Sequence, residues 1–163
     1  MKKLIIILLL IVLLTSLSIS SSQTYEQQSL VSTLEQLLPG EPGKDQLSKL
    51  EFFYWNRSIS VEERGYYYFV EFLIRKAAHF LTFGLLAVVI YWLLPKRPGR
   101  WLGAALLTLI LACVDEVRQS FTGGRTATLQ DVYLDMAGAI TFLCIVSFLQ
   151  FLHLFKNKKK EYM

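Results

Sequence analysis

Charge is scarce in this 163-residue sequence: 18% of residues are charged against 53% hydrophobic, and the mean hydropathy is +0.41. That shortage argues against a solvent-wrapped globule and points to a membrane. Cysteine is scarcer still. Cys113 and Cys144 both fall inside apolar runs, far from any oxidising loop, so a disulfide is not expected, and buried apolar packing is the reading for both. No Walker-type or dinucleotide-type glycine pattern occurs, and no internal repeat, which sets aside the common nucleotide-binding loops and solenoids. A nucleophile in a catalytic setting is missing too. Ser120 and Thr122 have no clear His–Asp setting, and there is no dense metal-ligand motif.

What the chain does have is four apolar runs: Leu4 to Ile19, Ala77 to Leu94, Trp101 to Val117 and Val132 to Phe155. Each approaches or exceeds the roughly 17–25 residues of a membrane-spanning helix. The expected fold is therefore all-α: a polytopic membrane protein of four transmembrane helices with a partly helical extracytoplasmic segment. Basic residues cluster in three places. Lys2 and Lys3 precede the first run, Lys96, Arg97 and Arg100 fill the link "PKRPGR", and "KNKKK" follows the fourth run, nine basic residues against one acid, Glu161. Short loops rich in Lys and Arg stay in the cytoplasm. Four spans satisfy all three clusters, with both termini cytoplasmic. The net charge of +4 is thus a topology signal, and no nucleic acid is expected as a partner.

The organisation that follows is residues 1–22 as an N-terminal transmembrane helix, 23–70 as the extracytoplasmic segment, 71–155 as a three-helix membrane domain and 156–163 as a basic cytoplasmic tail. "MKK", "LIIILLLIVLL" and "TSLSISSS" also have the order of a secretory signal, so residues 1–22 are either a signal anchor or a cleaved signal peptide. Cleavage would leave three spans in the same orientation. In the outer segment Leu30, Leu34, Leu37 and Leu38 form an amphipathic stripe, and "PGEPG" ends it. The rings of "QLSKLEFFYW" and "GYYYFVEF" suit either a bilayer interface or packing under a lid. Ser60 and Glu63 fit a capping box, so a helix is expected to begin near Val61 and run on into the second span.

The polar residues inside the runs share a depth. Counted from each run's cytoplasmic end, His79 lies about 22 Å across, Asp115 about 21 Å and Asp135 about 25 Å. In a core of about 30 Å all three fall near the outer boundary. Four-residue spacing pairs Arg75 with His79, Asp115 with Gln119 and Asp131 with Asp135 on three helix faces. Ionisable groups facing lipid are costly and turn inward. An outward-facing polar pocket roofed by the outer segment is expected, with Arg75, His79 and Arg125 against Asp115, Glu116, Asp131 and Asp135. The plain alternatives are interhelical ion pairs that only fasten the bundle, solvated helix ends for Glu116, Arg118 and Asp131, and a core role for His79. His153 beside the basic tail has no such company.

The stretches "RKAAHFLTFGLLA" and "DEVRQSFTGGRTATLQDVYLDMAGA" resemble the VanZ-like family of small bacterial membrane proteins, over residues 71 to about 150. By position, the resemblance implicates Arg75, His79, Asp115, Glu116, Gln119, Arg125 and Asp131. Asp135 stands where that pattern usually has Asn, and "TGGR" replaces its usual proline-glycine turn. The founding member is associated with low-level resistance to teicoplanin-type glycopeptides, which implies action at the cell envelope. Four functions are weighed on this basis. The first is binding of an anionic envelope lipid, a polyprenyl phosphate or a cell-wall precursor built on it, through Arg75, His79 and Arg125. A membrane hydrolase or transferase would use His79 as acid or base, with Asp115 and Glu116 as weak candidates for a divalent cation. A proton-coupled carrier lacks ionisable groups in the inner halves of the runs. The fourth is a structural or signalling subunit. Catalytic residues are unassigned, no cofactor is evident, and oligomeric state is not legible.

Overall fold

The computed structural model describes residues 1–54, 57–122 and 128–161. Four long helices form the body: α1 Lys2–Ser21, α5 Tyr66–Leu93, α6 Arg100–Ser120 and α7 Leu129–Glu161. Among the described residues three stretches are long and apolar enough to cross a membrane, namely α1, α5 and residues Leu129–His153 of α7. Helix α6 has the length, but Asp115, Glu116 and Arg118 crowd its last six residues. Every long helix outruns the apolar run that announced it. The clearest case is α5, which begins at Tyr66 instead of Ala77.

Helices α5 and α7 form the closest pair, and small residues set their approach. A Cβ added at Gly138 on α7 would lie 2.1 Å from the Phe80 carbonyl oxygen of α5, and one at Gly84 on α5 would lie 2.6 Å from the Phe142 ring. Between membrane helices such contacts replace the hydrophobic drive available in water. Around this pair Phe83, Leu86, Ala87 and Ile90 of α5 meet Ala104, Ala105 and Ala112 of α6 and Val132, Ala139 and Leu143 of α7. Helix α1 adds Leu10, Leu13, Leu14 and Leu17, one stripe at helical spacing. The opposite faces stay apolar and uncovered, as at Leu8, Ile110, Val114 and Phe148. Both cysteines lie on such faces and are exposed, contrary to the buried packing expected of them. An apolar side chain on a membrane helix is at no disadvantage facing outward, so apolarity alone does not select the core.

Residues 22–65 build a cap over one end. Its elements are a 3-10 turn Glu26–Gln28, α2 Val31–Leu37, α3 Lys44–Leu47, an antiparallel hairpin β1 Phe52–Tyr54 and β2 Arg57–Ile59, and α4 Val61–Arg64. The hairpin departs from the all-α expectation. Aromatic residues in "FFY" favour a pleated, half-buried strand, and Ile59 across from Phe52 is buried in a small core with Val61, Tyr66 and Phe69. Of the leucine stripe on α2 only Leu34 is buried, and Leu37 is 70% exposed. The N-cap half of the capping box forms, with Ser60 Oγ accepting the Glu63 amide at 3.3 Å. The helix does not run on. Gly65 sits at φ 84°, a conformation that a side chain disfavours, and separates α4 from α5.

Candidate functional site

Under the cap the ends of α5, α6 and α7 enclose a cavity of about 570 Å³. Helix α5 brings Arg75, Lys76 and His79 to its wall, because residues three and four apart share a face. The cap adds Tyr25, Tyr54 and Arg64, α6 adds Gln119, and α7 adds Asp131.

Each α5 cation has its own acid. Arg75 Nε donates to Glu71 Oε1 at 2.8 Å with Nη2 at 2.6 Å, and Glu71 is 1% exposed. The same guanidinium reaches Gln28 Oε1 and the Tyr25 carbonyl, each at 3.3 Å, and lies 4.7 Å over the Tyr25 ring. Lys76 Nζ pairs with Asp131 Oδ1 and lies 3.1 Å from the Tyr54 hydroxyl, which also donates to Asp131. Burial and that bond to Asp131 push the Tyr54 phenol up, so it stays protonated as a donor. His79 Nδ1 stands 3.3 Å from Asp135 Oδ1 and stacks on Phe83. That pair is close but poorly aligned: among the described residues neither His79 Nδ1 nor either Asp135 oxygen has a hydrogen-bond partner.

A second polar group lies behind the wall. Asp115 accepts from Ser21 Oγ at the end of α1 and from Gln119 Nε2, the latter at 2.6 Å. Glu116 Oε2 accepts the Thr128 amide at 2.8 Å, whereas its Oε1 has no partner among the described residues. Both carboxylates are 4% exposed, so Glu116 is not the solvated helix end weighed above. Arg118, by contrast, is exposed and binds the hydroxyls of Ser18 on α1 and of Ser22 just after it.

Of the residues singled out from sequence, Arg75, His79, Gln119 and Asp131 line the cavity, and Asp115, Glu116 and Asp135 sit buried behind it. Arg125 lies outside the described residues. The four-residue spacing is realised directly between Asp115 and Gln119, while Arg75 pairs with Glu71 instead of standing alone beside His79. Sequence reasoning missed Glu71, Lys76, Tyr54, Arg64 and Ser21. Glu71 had a signal, being four residues before Arg75; Tyr54 had none, because its contact with Asp131 spans 77 positions. As for the cation considered at Asp115 and Glu116, both Asp115 oxygens are engaged, and no group of three His, Cys, Asp or Glu side chains among the described residues is placed to hold a metal.

No curated protein and no solved structure matches the chain. A family model described as VanZ/LLP1 matches residues 4–150. The match begins well before residue 71, so α1 and the cap belong to the shared pattern along with the helices that carry the cavity. On that extent, the chain belongs to the VanZ/LLP1 family.

Proposed function

We propose that all four long helices cross the cell membrane with both termini cytoplasmic, and that the capped cavity opens outward and binds the phosphate of an anionic envelope lipid of the polyprenyl-phosphate type. The observation that carries this reading is the cavity wall. Among the described residues Arg64, Arg75, Lys76 and His79 meet there with one lining carboxylate, Asp131, while Glu71 stands behind and holds Arg75, and Asp135 lies 3.3 Å from His79. Arginine suits phosphate because its planar fork donates to two oxygens together. The apolar outer faces beside the cavity would carry a prenyl tail. The topology rests on the three basic clusters and on α6 being uninterrupted from Trp101 to Val114, with its acids gathered at the cavity end. A protein that sequesters or presents a lipid-linked precursor would alter glycopeptide susceptibility from this position.

One observation favours a second reading. His79 lines the cavity with the buried Asp135 carboxylate 3.3 Å from its Nδ1, a proton-transfer group beside an acid, which fits a hydrolase or transferase acting on the same lipid.

Native mass spectrometry on the purified chain tests the first reading. Arg64→Ala is the informative variant, since Arg64 is exposed and has no ion pair among the described residues. A polyprenyl-phosphate adduct on the wild type, weakened in Arg64→Ala and lost in Arg75→Ala and Arg125→Ala, is expected. Bulk phospholipid alone, equal in all four proteins, overturns it and leaves the polar layer as a clamp between helices. Turnover of a polyprenyl diphosphate that disappears in His79→Gln would move the assignment to the enzyme.

A further inference from the structure

The far end of the bundle holds another cavity, of about 770 Å³, which the proposed function does not use. It lies between the last turn of α5, the turn of residues 95–99, the start of α6 and the facing side of α7. Lys96, Arg97 and Arg100 line it together with Trp92 and Trp101, and no carboxylate among the described residues does. Lys96 and Arg97 have no ion pair among the described residues. Arg100 is anchored by one donor only, its Nε reaching the Tyr91 carbonyl at 2.5 Å, with the guanidinium 4.0 Å over the Tyr91 ring. Tyr91 in turn donates to Gln150 of α7 at 2.9 Å, which ties the two walls together.

The turn is prearranged. Pro95 and Pro98 fix φ at two of its five positions, Gly99 takes φ 85°, and the Arg97 amide closes on the Pro95 carbonyl at 2.8 Å. A short basic link would suffice as a topology signal; it would not require a rigid turn, a cavity or paired indoles. Trp rings settle at the headgroup level of a bilayer, and basic pockets between spanning helices take anionic headgroups. Leu149 of the cavity lining is also exposed to the outside, and Ile145 and Leu152, four residues before it and three after it on α7, are each about half exposed, an apolar track for acyl chains.

We infer that this cavity binds an acidic glycerophospholipid, its phosphate on Lys96, Arg97 and Arg100 and its chains along α7. The proposal is independent of the capped site, and its test separates the two. The full chain is stripped of lipid in a neutral detergent. It is then titrated with phosphatidylglycerol, phosphatidylcholine or inorganic phosphate, while native mass spectrometry and thermal melting are followed. Wild type is expected to retain one phosphatidylglycerol and to melt higher with it, and to respond to neither of the others. Lys96→Gln with Arg97→Gln should weaken retention by at least about tenfold without lowering the lipid-free Tm. Arg64→Ala should leave retention unchanged. Equal retention of phosphatidylcholine, equal stabilisation by inorganic phosphate, or an unaffected double variant would each overturn the assignment. The capped site would stand or fall separately, on its polyprenyl adduct.

Discussion

The two ends of the bundle handle positive charge in opposite ways. Under the cap Arg75, Lys76 and His79 each stand against an acid, and most of those acids are buried. At the other end Lys96, Arg97 and Arg100 share a cavity with tryptophans and, among the described residues, no carboxylate. Pairing fixes geometry, because a guanidinium held by Glu71 and Gln28 has little freedom left. It also means that an incoming anion must compete with an internal one. The unpaired end keeps its attraction and gives up that rigidity, which its proline-bounded turn restores by covalent means.

The contrast depends on the frame that keeps the ends apart, so the largest expected effect lies between them. Gly138→Ala drives a methyl group into the Phe80 carbonyl, and overpacking against backbone should cost about 3 kcal/mol or more, read as loss of the monodisperse folded peak. Next comes Arg75→Ala, which leaves the buried Glu71 without its cation and with only a long 3.4 Å bond from Ser29 Oγ, at a cost of about 3 kcal/mol, measured as a drop in Tm that Glu71→Gln in the same chain partly restores. A Tm unchanged in that single variant would erase the distinction between the ends. Tyr54→Phe removes one buried bond to Asp131 and should cost about 1 kcal/mol. Its sharper readout is proteolysis of the cap, which should accelerate if the hairpin is held by that hydroxyl. The smallest effect is expected at the far end, where Lys96→Gln with Arg97→Gln should change lipid-free stability by less than about 0.5 kcal/mol. A larger loss would mean that those cations are paired after all.

How far these features could be read in advance depended on their range along the chain. Helix geometry fixes what lies four residues away, so Asp115 with Gln119 was legible, as Arg75 with Glu71 would have been had the reading begun before the apolar run. Depth along separate helices put His79 and Asp135 at one level, because rise per residue is constant. Rotation of each helix about its axis was not legible. That is why Asp115 and Glu116 lie behind the cavity wall instead of on it, and why Cys113 and Cys144 face outward. The cap was the least legible part. A three-residue strand has no period to detect, and the hairpin is defined by its fit onto Phe69 and Phe72, far along the chain.

The polar contacts also have a direction in time. A chain is made and folded from its N-terminus. Asp115 finds Ser21 on α1, Asp131 finds Tyr54 and Lys76, and Asp135 comes to lie beside His79, so each of these acids has a neighbour synthesised before it. Of Asp115, Glu116, Asp131 and Asp135, Glu116 alone waits, and only for the Thr128 amide twelve residues later. Each of these acids other than Glu116 therefore enters the growing bundle with its counterpart already in place, and the chain passes through assembly without an extended stage in which those carboxylates stand unmatched.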